Sequence, residues 1–495
     1  MDALDFDCED LFSFEDSFHS LMSGYSRGML QQARKAFYDE REFLREHLAP
    51  LVLKEDREHA RDHEHMSWEM LRLSGRHGRL SSFIPAFMGG SGKSVGGAMM
   101  INMEEQASVD CAYCGLMGGH GLGLVSVMMT FNLKIMQRVI DNIVSREKDD
   151  KPYVIDCAIT EPAAGTDVEE VELYPHARLM CRAKRVKGGA ILNGRKVFIS
   201  TGHMASDHVV IIPFDIKDPL NTMGCVLVPH NAEGFSLGRK EKKMGQRAGP
   251  ASELIFEDCF VPEENIIMSS DEWPEYKDQF KALLHGVLGI TRTAVGAWST
   301  GTARGALERC IRIAREEKYK GKTLINRQWV QAILTNMYMN VMMARSVYLE
   351  AQFALVRNMG SRGMVTDMPA FINYRPVSAI MKRVFENRKI RQFYQSERLR
   401  KMMVKRMHDM PPENDARLQY MSSLAKVVGS DMAMENCHLA VELTGRAGIR
   451  HDRAVEKIFR DAKLLQIFEG TNQLNRLNIF QHYFCRKIPG VEVFS

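Results

Sequence analysis

The strongest constraint on this chain is a change of texture, from helix to strand and back to helix, along one continuous sequence. Over residues 27–144, apolar residues recur at three- and four-residue spacing with charges between, as in QQARKAFYDEREFLREHLAPLVLKED. That is the period of an amphipathic helix. Glycine-rich stretches at 88–92 and 118–123 are expected to separate helices. The period stops at a Lys–Asp–Asp–Lys–Pro linker, and short β-rich runs follow over 153–262: RLMCRAKRV, AILNGRKVFIS, HVVIIPF, GCVLVP and SELIFEDCFVP. Residues 187–189 and 193–194 read as tight hairpin turns. Helical texture returns over 273–484, with long candidates at 303–318, 329–357 and 431–443. The expected fold is therefore α+β multidomain: an acidic N-terminal extension (1–26), a helical domain (27–152), a middle antiparallel β domain, barrel or sandwich (153–270), and a C-terminal helical bundle (271–495). The bundle carries an extra segment at about 357–417.

Composition narrows the function classes. With 495 residues, 45% hydrophobic and 26% charged, the chain can bury a sizeable core. A net charge of +4 demands neither nucleic acid nor an acidic membrane. The basic stretch MKRVFENRKIRQFYQSERLRKMMVKRM is interrupted by acids and poor in aromatics, so it reads as a solvated amphipathic helix. The longest apolar stretch, around 122–136, is broken by Ser126, Thr130, Asn132 and Lys134. It falls short of the about 20 apolar residues a membrane span needs. The acidic opening lacks the features of a signal or transit peptide, so a cytoplasmic location is expected. Ten cysteines without framework spacing are expected to be free thiols. Cys111 and Cys114 have redox or metal spacing but no second pair, so buried thiols and no metal are expected. The 33 methionines read as core filling.

Two segments carry chemistry. CAITEPAAGTDVEE, residues 157–170, is a strand running into a small-residue loop whose backbone can approach a flat or anionic ligand closely. EKIFRDAKLLQIFEGTNQLNRLNIF, residues 456–480, places Glu469 beside Gly470 where a helix should stop. A carboxylate among Leu465, Ile467 and Phe468 can be desolvated and act as a general base near neutrality. An exposed helix-end glutamate with a capping glycine fits the same pattern.

These segments resemble the two signatures of the acyl-CoA dehydrogenase family, and the resemblance runs over residues 27–480. LNGRKVFIS (192–200), KMGQRAGPASELIFEDCFVP (243–262), TRTAVGAWSTGTARGAL (291–307) and YKGKTLINRQ (319–328) follow in the family's order. The resemblance implies FAD between the β domain and the C-terminal bundle. Thr160, with Ala158 and Ile159, would line the isoalloxazine edge, and Thr166 would lie near the pyrophosphate and the substrate. Phe198 and Ser200 would pack on the flavin, and Thr471 and Gln473 would contact FAD. Gln328, Glu442 and Gly445 would reach FAD of a neighbouring subunit. Glu469 would be the base that takes the α-proton of an acyl-CoA thioester while the β-hydrogen leaves as hydride to flavin N5. The thioester carbonyl would accept from the backbone N–H of Glu469 and from a ribose hydroxyl. Arg292 and Gly470 would lie on the substrate side. The resemblance also implies an electron-transferring flavoprotein as electron acceptor and a homo-oligomer, a dimer or a dimer of dimers (homotetramer).

Three departures mark a divergent branch. The family's QxxGGxG reads ELTGRAG, with Glu442 for Gln and Arg446 for the second Gly. Its RxxFG reads Glu317–Lys–Tyr–Lys320–Gly321, leaving Arg315, Lys318 or Arg327 to meet a phosphate. The third is the extra segment. They lean the expectation toward a substrate other than a plain fatty acyl group. Other classes stay open: an oxidase, monooxygenase or thioester-eliminating relative, and a scaffold that has lost FAD.

Overall fold

The computed structural model describes residues 12–19, 27–94, 98–269, 279–361, 375–387, 392–393 and 395–494. The expected boundary at 270/271, most of the acidic extension and parts of the extra segment lie outside them. The N-terminal domain holds α1 (Arg27–Phe43), α2 (Ala49–Arg61), α3 (Trp68–Arg76), α4 (Ala98–Val109), α5 (Cys111–Met129) and α6 (Leu133–Arg146). The described part of the extension belongs to this core: Phe14 and Phe18 are buried against Phe37, and Arg41 donates to the Phe12 carbonyl at 2.7 Å.

The middle domain is a sandwich of two four-stranded sheets. One has the order β1 (Ile155–Ala158), β4 (Asp207–Pro213), β5 (Met223–Pro229), β8 (Ile266–Ser269). The other has the order β2 (Arg182–Val186), β3 (Gly189–Ser200), β7 (Ala251–Pro262), β6 (Phe235–Lys240). A short α7 (Pro219–Thr222) precedes β5. Alternation decides the layering. Val210 and Ile212 of β4 and Val226 and Val228 of β5 fill the space between the sheets. Val209, Ile211, Cys225 and Leu227 face the opposite way, into the helical core. The expected all-antiparallel pairing needs one amendment, because β1 lies parallel to β4. The turn at Lys187 and Gly188 joins β2 to β3 as expected. Asn193–Gly194 is not a hairpin turn. It lies inside β3 at a bulge, where a Cβ on Gly194 would come within 2.5 Å of the Cys181 Cα.

The C-terminal bundle contains α8 (Gln279–Glu316), α9 (Gln328–Ser361), α10 (Arg375–Glu386), α11 (Glu397–His408), α12 (Pro412–Gly448), α13 (Val455–Leu464) and α14 (Asn472–Ile479). A two-residue-strand hairpin, β9 (Lys318–Tyr319) and β10 (Lys322–Thr323), links α8 to α9. A buried ion network locks this bundle to the N-terminal domain. Glu104 on α4 accepts from Arg304 (3.1 Å), Arg345 (2.5 Å) and Tyr348 (2.7 Å), while Glu105 pairs with Arg41 and Arg304. Removing one partner would leave an uncompensated buried charge.

The glycines at 118–123 do not break a helix. They lie inside α5, which is apolar all round. A Cβ on Gly118 would meet Trp298 at 2.4 Å, one on Gly119 the Thr201 side chain at 2.6 Å, and one on Gly123 the Asp156 carbonyl at 2.6 Å. Glycine here allows close approach of the β domain and α8, at the cost of helix propensity. α5 is also long and apolar enough to cross a membrane, yet 67% of its apolar window is buried inside the fold. Cys111 and Cys114 are buried on it, with thiol pKa values pushed up by burial, as inert core cysteines. Gly123→Ala should therefore destabilise by about 1–3 kcal/mol through overpacking. Gly121→Ala, whose Cβ would lie 3.6 Å from Phe83, should be neutral or stabilising. Denaturant midpoints of the two variants check this, and equal midpoints would refute the close-packed seam.

Candidate active site

Glu469 stands at a sharp backbone reversal between α13 and α14. It has φ +56°, and Gly470 follows at φ +78°. A left-handed conformation costs a non-glycine residue about 1–3 kcal/mol unless its surroundings impose it. Here three side chains grip the carbonyls of the turn. Asn475 Nδ2 donates to the carbonyls of Glu469 (3.2 Å), Gly470 (2.9 Å) and Thr471 (3.1 Å). Lys426 Nζ from α12 donates to the Gly470 carbonyl at 2.7 Å and to Asn472 Oδ1 at 2.6 Å. Arg292 Nε from α8 donates to the Glu469 carbonyl at 3.3 Å. Among the described residues no acceptor takes the Glu469 backbone N–H.

The Glu469 carboxylate is half-buried, and Thr291 Oγ1 donates to its Oε2 at 2.6 Å. Burial raises its pKa, opposed by the Thr291 hydrogen bond and by the charges of Arg292 and Lys426. Burial likewise lowers Lys426 to about 7, partly offset by Glu169. Arg292 is fully buried, and its fork reaches Ser423 Oγ (3.4 Å) and the Glu169 carbonyl (3.5 Å) as well as Glu469. The arginine expected on the substrate side thus holds two backbone carbonyls together. A Cβ on Gly470 would lie 3.0 Å from both Asn475 Nδ2 and Glu169 Oε2, so only glycine fits.

The expected flavin-side residues gather on an adjoining wall. The carbonyls of Ile159 and Thr160, just past β1, accept from Lys196 Nζ and the Val197 N–H, both at 2.9 Å. This pins them beside the bulge that carries Phe198, which has φ +59° and is 60% exposed. A Cβ on Gly165 would be 3.9 Å from Thr160 Cγ2, which brings the loop of Thr166 to the same place. Thr166 and Ser200 are exposed, whereas the Ala158 side chain lies in the sandwich core and offers only backbone. From Ser200 the wall continues across Gly119 and Gly118 of α5 to Trp298, whose buried Nε1 has no hydrogen-bond partner among the described residues. Trp298 meets Phe468 edge-on at 6.5 Å, next to Glu469. The seam of α5 thus joins the β-domain wall to the Glu469 turn.

The remaining residues stand elsewhere or in other roles. Thr471 Oγ1 caps α14 by accepting from the Leu474 N–H at 3.2 Å, and Gln473 is exposed on its first turn. Gln328 is exposed at the start of α9, and Glu442 is exposed near the end of α12. Gly445 breaks that last turn with φ +48°, ψ −126°. Arg327 donates to the carbonyls of Tyr319 and Lys320, so its guanidinium is engaged within the β9–β10 turn. Lys426, Asn475 and Glu169 escaped the sequence reading. Lys426 and Asn475 look like ordinary helix residues in one dimension. The signal for Glu169 was a run of acids, DVEEVE, inside a ligand-approach loop.

Comparison with known proteins places the chain in a family. The chain matches the acyl-CoA dehydrogenase N-terminal domain over residues 32–145, the middle domain over 157–259 and the C-terminal domain over 280–370 and 387–484. It is 27% identical over 442 residues to a probable acyl-CoA dehydrogenase of Mycobacterium leprae, covering 89% of this chain and 94% of that protein. It is 26% identical over 402 residues to the cyclohex-1-ene-1-carbonyl-CoA dehydrogenase of Syntrophus aciditrophicus, covering 81% and 78%. Its fold superposes on butyryl-CoA dehydrogenase from Megasphaera elsdenii with a TM-score of 0.67 at 22% identity, over 90% of this chain and 97% of that one. It superposes on an acyl-CoA dehydrogenase complexed with FAD from Bacillus anthracis with a TM-score of 0.69 at 20% identity, over 95% and 70%. With all three domains matched in order, the chain belongs to the acyl-CoA dehydrogenase family of oxidoreductases.

Proposed function

We propose that this protein is an FAD-dependent dehydrogenase that converts an acyl-CoA thioester to the 2,3-enoyl thioester, with Glu469 as the base. The observation that carries the reading is the Glu469 turn: a half-buried carboxylate and an unengaged backbone N–H held on one rigid reversal. The wall of Thr160, Thr166, exposed Phe198 and Ser200, ending at the unpartnered Trp298 Nε1, suits a flat cofactor with polar edges. FAD is the cofactor of this family, and when bound it would accept the β-hydrogen as hydride.

The chain's own residues then have separable tasks. The Glu469 N–H would receive the thioester carbonyl and favour the charge that develops there. The Glu469 carboxylate would take the α-proton, and its burial moves its proton affinity toward neutrality, where a general base works best. Thr291 orients that carboxylate, and its hydrogen bond lowers the pKa against the effect of burial. Arg292, Lys426 and Asn475 hold the turn, so the base and the carbonyl donor are placed before substrate arrives. The retained, oriented glutamate favours dehydrogenation over oxidase, monooxygenase or eliminating chemistry, and the intact wall favours it over a scaffold. We also propose a dimer or a homotetramer working in the cytoplasm, with an electron-transferring flavoprotein as acceptor. Trp329, Tyr338, Met339 and Met343 on α9 are exposed apolar side chains that suit a subunit contact.

Two expectations follow from the site. Glu469→Gln should keep the protein yellow with FAD, because the amide preserves the turn. Anaerobic flavin reduction by an acyl-CoA that bleaches the parent should slow by about 10²- to 10⁴-fold in stopped flow. A rate within about ten-fold of the parent would assign the base elsewhere. Thr291→Val removes a hydrogen bond that lowers the Glu469 pKa. The base must be deprotonated, so the rise of the reduction rate with pH should move to higher pH. An unmoved profile would show that this hydroxyl does not tune the base.

A further inference from the structure

We propose that Glu169 selects the substrate, and that the acyl group it selects carries a protonated amine close to the carbons that react. The inference rests on the thioester-dehydrogenase reading above and concerns the same site. Glu169 belongs to the loop 166–176, which presents three glutamates to the bundle. Two of them are partnered. Glu170 accepts from Asn478 Nδ2 at 2.7 Å, and Glu172 accepts from Lys281 Nζ at 3.1 Å. Each of the three has one buried oxygen without a hydrogen-bond partner, but Glu169 differs because, among the described residues, neither oxygen of its carboxylate accepts a hydrogen bond.

That oxygen lies against the Glu469–Gly470 turn. It lies where a Cβ on Gly470 would approach it to 3.0 Å, one residue from the base. Burial, and then the charge of Glu469, push the Glu169 pKa up to about 8, so the two carboxylates sense each other. Two cations stand close by, yet neither hydrogen-bonds to either carboxylate. Arg292 donates to the carbonyls of Glu469 and Glu169 and to Ser423 Oγ. Lys426 donates to the Gly470 carbonyl and to Asn472 Oδ1. The protein supplies a desolvated carboxylate at this turn and spends its neighbouring charged donors on backbone carbonyls and neutral side chains.

A plain alkyl chain packed against this partly exposed carboxylate would leave it without a hydrogen bond and desolvate it further, which is unfavourable. An ammonium group would give it a charge-assisted hydrogen bond and would relieve the repulsion between the two acids. The site therefore discriminates against simple fatty acyl groups as well as for an amino-bearing one. This agrees with the lean of the divergent motifs away from plain fatty acids.

The test compares 2-aminobutyryl-CoA with its isostere 2-methylbutyryl-CoA, in which a methyl group replaces the ammonium. Binding is measured by calorimetry on the FAD-loaded Glu469→Gln protein, which does not turn over, and anaerobic flavin bleaching is measured on the parent. A hydrogen bond to a charged group corresponds to about ten-fold or more in affinity, so the amine should bind at least that much tighter. Adding Glu169→Gln or Glu169→Ala should abolish the preference while FAD retention and melting temperature show the variants folded. Equal or tighter binding of the methyl isostere, or a preference that survives both variants, overturns the proposal and leaves the dehydrogenase reading intact. A binding preference for the amine with no bleaching by either thioester refutes the dehydrogenase reading instead, and with it the role of Glu169 as a selector for that reaction.

Discussion

The site depends on a backbone conformation that its own sequence would not choose. Glu469 and Gly470 are consecutive left-handed residues, and the first of them is not glycine. The turn persists because Arg292, Lys426 and Asn475 saturate its carbonyls from three different helices. The carbonyls are pulled to one side, and the N–H and carboxylate of Glu469 are left on the other. A base and a hydrogen-bond donor thereby acquire fixed positions without a hydrogen bond from either being spent on the fold, apart from the Thr291 contact. This is preorganisation in the sense that matters for proton abstraction from carbon, where the charge appears on the carbonyl oxygen as the proton leaves.

The second dependence is the glycine seam of α5. Its small residues let Ser200 and Thr201 of the β domain and Trp298 of the bundle approach one helix within van der Waals distance. That approach brings the Phe198 wall of the β domain and the Glu469 turn of the bundle onto one helix. The buried Glu104–Arg304–Arg345 network fixes the N-terminal domain to the bundle. Burial and charge are thus used differently in the two places. In the network every acid meets a cation, whereas at the cleft Glu169 does not.

Much of this was legible in one dimension because periodicity reports burial. The short β-rich runs HVVIIPF and GCVLVP foretold strands, which the structure buries on both faces, and the long helical patterns foretold α8, α9 and α12, although all three run longer than their apolar stripes suggest. Glu469 was readable because a helix stop next to glycine has a characteristic composition. What failed was the reading of glycine itself. At 118–123 it packs a helix, and at Asn193–Gly194 it forms a bulge, because in both places a neighbouring chain comes too close for a Cβ. One-dimensional pattern carries no information on such approaches. The same limit hid Lys426, whose acceptor carbonyl lies 44 residues further along the chain, and hid the Arg292 hydrogen bonds to the Glu469 and Glu169 carbonyls and to Ser423 Oγ. Glu169 was visible as an acid but not as an unpartnered one, since partnership is a property of three dimensions.

The central claim is that this chain breaks an α-carbon–hydrogen bond with a glutamate held at the 469–470 turn. The most direct measurement is anaerobic flavin reduction by an acyl-CoA carrying deuterium at the α-carbon, compared with the protiated thioester at saturating concentration. The account predicts that deuterium slows the reduction in the parent protein. Equal rates for the two isotopologues would show that α-proton abstraction is not part of the rate-determining chemistry, and failure of any acyl-CoA to bleach the flavin would contradict the account outright.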